Sequence, residues 1–203
     1  LDLISFHHHF RQWDEEMTCS QRFVTAAMEV AMPMFNLAFK CEPVDRGTSG
    51  IRTEMVADLA AEALFGESSE LYLKLYEEGM IDSSFGGGFE TIDGCAMLMW
   101  SGDSEQPQAV RDAVLAQARK LAKEGIPEKN FLRMKRSALG RRIRGLDSFD
   151  ATCFRVCAYH FSDFDYFRFP EVYRSIEATE IQGFLNRVVK EERCSLSIIN
   201  PIE

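Results

Sequence analysis

Cys153, Cys157 and His160 recur at i, i+4 and i+7, which places two thiols and an imidazole on one face of any helix through this segment. Such a set suits a soft divalent metal. Closed zinc sites take four ligands, however, and usually draw them from two elements. Phe154, Val156, Phe161 and Phe164 are interleaved with the three, so a buried apolar helix face accounts for the same pattern. Both readings stay open from spacing alone. His7-His8-His9 can chelate metals adventitiously but has no acidic partner at catalytic spacing. Neither H-E-x-x-H nor the inverted H-x-x-E-H occurs anywhere in the chain.

Other chemistry is equally incomplete. Gly86-Gly87-Gly88 has the composition of a phosphate cradle, but Phe89–Thr91 behind it reads as strand rather than helix. A flexible or bulged strand is the expectation. Glu77 and Glu78 are adjacent, so on a helix they point about 100° apart and cannot share one substrate atom. Arg133, Lys135, Arg136, Arg141, Arg142 and Arg144 form a basic stretch, expected as a solvated helix face, with an acidic partner surface as the alternative. No nucleophile elbow, serine triad spacing or dinucleotide fingerprint is present. The residues by themselves offer no enzyme.

The elements that must carry these residues follow from periodicity. Phe35, Leu37 and Phe39 alternate with polar or small residues, predicting a strand over 32–40 with Pro33 at its start or edge. A polar loop over 42–50 precedes a helix through Ile51, Met55, Val56, Leu59, Ala60, Ala63 and Leu64, ending near Gly66. Helices follow over 69–78, 107–124, 128–145 and 148–162. Two strands over 83–91 and 95–101 flank Ile92-Asp93-Gly94, a hairpin signal. Thr179-x-x-Gln182 reads as a capping box opening a helix buried through Ile181, Phe184, Leu185, Val188 and Val189, and Cys194–Asn200 reads as a closing strand. The fold class is therefore α+β: one domain, a mostly antiparallel sheet with clustered helices packed on one face. Residues 1–23 are expected as an extension or interdomain segment and 24–203 as the domain.

Bulk properties narrow the partners. A net charge of -9 over 203 residues argues against nucleic acid and anionic membrane, both of which select basic surfaces. No apolar run reaches the ~20 residues of a membrane span. There is no secretory n-region, and six cysteines lie scattered without a C-x-x-C pair, so reduced thiols and a cytoplasmic location are expected. The first residue is Leu1 rather than Met, which suggests a piece of a longer protein.

Several segments together resemble a known family. They are Met32-Pro33 leading to Phe39-Lys40, Gly66-Glu67-Ser68-Ser69-Glu70-Leu71-Tyr72, and Leu75-Tyr76-Glu77-Glu78-Gly79. Pro170-x-Val172, Thr179-Glu180-Ile181 and Leu196–Asn200 with Pro201 complete the set. The chain resembles, from about residue 24 to its end, the insulinase/pitrilysin-type zinc peptidases, which include the mitochondrial processing peptidases. The nearest likeness is to the bacterial YmfH-like branch, in the C-terminal-type domain. The resemblance implies repeated α+β domains closing around a chamber, with zinc held by an N-terminal-type domain of the same parent chain and a second peptidase-like subunit as a possible partner. This domain would hold no cofactor and would help enclose a peptide substrate. It implies substrate-facing positions at Tyr76, Glu77 and Phe85. One departure stands out: Tyr76 occupies the place where catalytic pairs carry Arg, and Ile81-Asp82-Ser83 lacks the following Tyr. An inactive scaffold or assembly domain is the alternative.

Overall fold

Phe35, Leu37, Phe39 and Cys41 alternate along one strand because successive side chains of an extended chain point to opposite faces, and all four are buried. That strand, β2 (Met34–Cys41), is the centre of the sheet in a computed structural model that describes residues 16–92 and 95–202. The remaining strands are β1 (Phe23–Met28), β3 (Gly86–Ile92), β4 (Cys95–Asp103) and β5 (Cys194–Pro201), in the order β1-β5-β2-β4-β3. β2 runs antiparallel to β4 and β5, which sets Leu37 opposite both Trp100 and Leu196. β3 and β4 form the expected hairpin, with Ile92 paired to Cys95; the Asp93-Gly94 turn lies outside the described residues.

The sheet is mostly antiparallel, as expected, but not wholly so. β1 pairs parallel to β5, with Thr25 opposite Ile198. This edge strand was illegible in the sequence because every residue of Phe23–Met28 is exposed, so no apolar alternation marks it.

The helices are α1 (Gly47–Phe65), α2 (Glu70–Glu77), α3 (Pro107–Glu124), α4 (Glu128–Arg144), α5 (Phe149–Phe161), α6 (Phe169–Ser175) and α7 (Ala178–Val188). Helices α1, α3 and α7 supply Leu59, Val114 and Ile181 to the same core as the sheet residues Leu98, Trp100 and Leu196, so the helical layer covers one face. Each fully buried side chain of this kind stabilises the fold by roughly 1.5–3 kcal/mol.

Two local expectations are corrected. α1 starts at Gly47, inside the segment read as loop; a Cβ at Gly50 would lie 1.7 Å from the Asp45 carbonyl oxygen, so this first turn closes only with glycine there. The cap of α7 sits two residues earlier than Thr179. Glu177 is the cap and Glu180 accepts its backbone N–H at 2.8 Å, because Glu180 is also held in a fork by Arg52 of α1.

Candidate functional site

The residues singled out in the sequence do not converge. Cys153, Cys157 and His160 do share one face of α5, but all three are exposed and the metal reading is not supported. Cys153 and His160 are seven residues apart, about 10 Å along a helix axis, whereas one zinc ion holds every ligand about 2 Å away. Among the described residues no group of three His, Cys, Asp or Glu is placed to hold a metal ion. The competing reading also fails in part. Phe154 and Phe161 are 74% and 76% exposed, and only Phe164 enters the core. The inward side of α5 is mixed: Val156 and Tyr159 pack against the core beside the guanidinium of Arg155. His7-His8-His9 lies outside the described residues. Among the described residues no disulfide joins any two of the six cysteines.

Tyr76 and Glu77 are exposed at the C-terminal end of α2. Tyr76 stacks on Tyr72, with ring centroids 5.9 Å apart and planes 12° from parallel. Phe85 is buried, in edge contact with Phe65 at 4.2 Å and beside Tyr72 at 6.3 Å. It presents little surface of its own, and its part is to support the Tyr72–Tyr76 stack.

A cleft of about 270 Å³ lies between α1, α4 and the edge strand β3, lined by Asp58, Glu62, Arg141, Arg142, Tyr173 and the backbone of Gly87. Asp58 and Glu62 are i, i+4 on α1 and so point the same way. Each faces a guanidinium from α4: Arg142 to Asp58 at 3.4 Å and Arg141 to Glu62 at 3.3 Å. Arg142 also donates to the Tyr159 hydroxyl at 3.1 Å and lies over the Tyr159 and Tyr173 rings. The Tyr159 hydroxyl in turn donates to Glu54 at 3.4 Å.

Burial pushes the Asp58 carboxyl above its ordinary value, and Arg142 opposes this only partly. Glu54 is raised for the same first reason. Burial works against the Arg142 charge, yet Tyr173, Tyr159 and Asp58 outweigh it and hold the guanidinium firmly protonated. The basic stretch is thus not a simple solvated face. Arg142 turns inward with only 18% of its side chain exposed, and Lys135 donates to the carbonyls of Arg174 and Ile176, both at 2.7 Å. The spacing of Asp58 and Glu62 four apart on α1, with adjacent arginines on α4, was the only signal of the cleft in the sequence.

Residues 8–138, more than half of the chain, match the family model for the peptidase M16 inactive domain. The chain belongs to the M16 peptidase family. This M16 domain is 25% identical over 159 residues to the uncharacterized zinc protease YmfH of Bacillus subtilis (strain 168), an alignment covering 78% of the chain and 37% of YmfH. Its fold is that of an M16-like peptidase of Alicyclobacillus acidocaldarius, at a TM-score of 0.86 and 18% identity over 92% of the chain and 45% of that structure. The peptidase M16 inactive domain from Pseudomonas fluorescens matches at 0.70 and 12% identity, over 95% of the chain and 46% of that structure. The M16 domain therefore spans less than half the length of each of these relatives.

Proposed function

We propose that this M16 domain is the non-catalytic, substrate-enclosing part of a zinc-dependent endopeptidase whose metal is held by another domain. The observation that carries the reading is the paired state of its cleft. Asp58 and Glu62, the two carboxylates of α1 that line the cleft, are each matched by a guanidinium from α4. Both carboxylates already have a cationic partner, and a polar concavity beside an open strand edge suits enclosure of an extended peptide. The exposed Tyr76 and Glu77 form part of the enclosing rim, with Phe85 behind them. An N-terminal-type zinc-bearing domain of the same parent protein is the expected partner, and the scattered cysteines without a C-x-x-C pair fit a reducing, cytoplasmic setting.

Tyr76 favours one further reading. An aromatic ring stacked on Tyr72 cannot supply the positive charge that an Arg brings to a developing oxyanion. A scaffold domain in an inactive assembly would have the same residue there. The two readings separate by binding of a fluorescent extended peptide to the zinc-bearing half, followed by anisotropy. Enclosure predicts tighter binding when this chain is added, and a loss of that gain in Tyr76→Ala. Complex formation with no change in peptide affinity would leave the scaffold reading standing and remove the first.

A further inference from the structure

β3 is the last strand in the sheet order, and among the described residues no strand pairs with its outer edge. An edge strand offers a row of unpaired backbone N–H and C=O groups, which Pro or Lys commonly guards. β3 has neither, and Gly86, Gly87 and Gly88 leave its backbone bare over three residues. The register sets Gly87 opposite Trp100, which is buried against Phe65 of α1, so Gly87 belongs to the helix side of the sheet. That side opens into the cleft between α1 and α4. β3 cannot fill the cleft itself. A Cβ at Gly87 would lie 2.0 Å from the Met99 carbonyl oxygen, and Gly86 and Gly88 alternate to the opposite face. The floor of the cleft is apolar, with Leu59, Phe65, Trp100 and Ala138, while its walls are the Asp58–Arg142 and Glu62–Arg141 pairs. Each of these four charges already faces an opposite one.

We propose that β3 takes up an extended peptide as a further strand, with a neutral aromatic side chain of that peptide seated in the cleft. The proposal rests on the enclosure reading and gives it a site. In an added strand, the residue opposite Gly87 projects to the same side of the sheet as Gly87, which is into the cleft. The unpaired edge binds any peptide backbone, and the cleft selects the side chain. An aromatic ring suits both surfaces it meets. Phe65 and Trp100 offer ring contacts below, and Arg141, with 51% of its side chain exposed, is free to lie over the ring as Arg142 lies over Tyr159 and Tyr173. A carboxylate in the same place would compete with Asp58 and Glu62 for their guanidiniums, and a lysine would compete with the guanidiniums.

Backbone amide exchange on the 203-residue chain tests it, using blocked peptides of the same seven-residue length as β3 with Phe, Ala or Glu at the centre. The Phe peptide slows exchange along β3 and binds roughly tenfold or more tightly than the Ala and Glu peptides. N-methylation of alternate peptide residues abolishes binding in one phase and spares it in the other, because only every second residue bonds to the edge. Ala138→Leu, which narrows the cleft from α4, removes the preference for Phe with far-UV circular dichroism unchanged. Unaltered exchange at β3 overturns the proposal; if this chain still tightens peptide binding by the zinc-bearing half, enclosure stands without it. Protection of β3 with equal affinity for all three peptides overturns the seat for the side chain. Protection with Phe preferred, in a chain that gives the zinc-bearing half no gain, keeps the site and counts against enclosure alone.

Discussion

Arg142 makes the heaviest demand on its surroundings. It links α1, through Asp58, to α5, through Tyr159, and only 18% of its side chain is exposed. Asp58 keeps 43% of its side chain in solvent, so Arg142→Ala loses a partly screened pair together with the guanidinium packing on Tyr159 and Tyr173, about 2 kcal/mol. Urea unfolding should show that loss, with Asp58→Asn costing far less because the guanidinium keeps its two tyrosines. The carboxylates differ in sign. Glu54 has a folded pKa above its ordinary 4.5, so its favourable contribution is complete below that value and is lost as pH rises through the folded pKa. Glu54→Gln should therefore melt higher than wild type at pH 7.5, with the difference vanishing near pH 4. Glu180 is the reverse. Burial alone would raise it, but the Arg52 fork outweighs burial and lowers it. Its contribution is present above 4.5 and is lost as pH falls through the lower folded value, so Glu180→Gln should melt below wild type at neutral pH and converge with it in acid. Melting curves of both variants across pH would expose an error in either assignment.

At the scale of elements, the glycine run of β3 has a positional meaning at one residue. Gly87 has φ of +155°, and a Cβ there would lie 2.0 Å from the Met99 carbonyl oxygen, whereas Gly86 and Gly88 face open space. Gly87→Ala should break the β3–β4 pairing and cost about 2 kcal/mol, while Gly88→Ala should cost less than 1. Hydrogen exchange at β3 amides would distinguish the two. The same contrast explains what could be read in advance. β2, β4, β5, α3 and α7 were legible because each buries one face and so writes its period into the sequence. β1 and the outer side of α5 were not, because one is exposed throughout and the other leaves Phe149, Phe154 and Phe161 in solvent. The cap of α7 was misplaced because Thr179 and Gln182 mimic a capping box locally, while the real one is fixed by Arg52, 128 residues away from Glu180.

For the whole molecule, the candidate site was legible mainly as an absence. The lack of H-x-x-E-H could be read directly, but the cleft could not, since Asp58 and Arg142 are 84 residues apart and meet only through the packing of α4 on α1. The matched family model is that of an inactive domain, and these relatives are more than twice as long, which fits the proposed reading of this domain as the enclosing part of a longer protein. The most direct measurement is cleavage of an extended fluorogenic peptide by this chain, by a zinc-bearing half of the parent protein, and by the two mixed. The account predicts no turnover by this chain with or without added zinc, and turnover by the mixture that exceeds the zinc-bearing half alone and disappears with a chelator. Cleavage by this chain alone, or a mixture no faster than the zinc-bearing half, would contradict it.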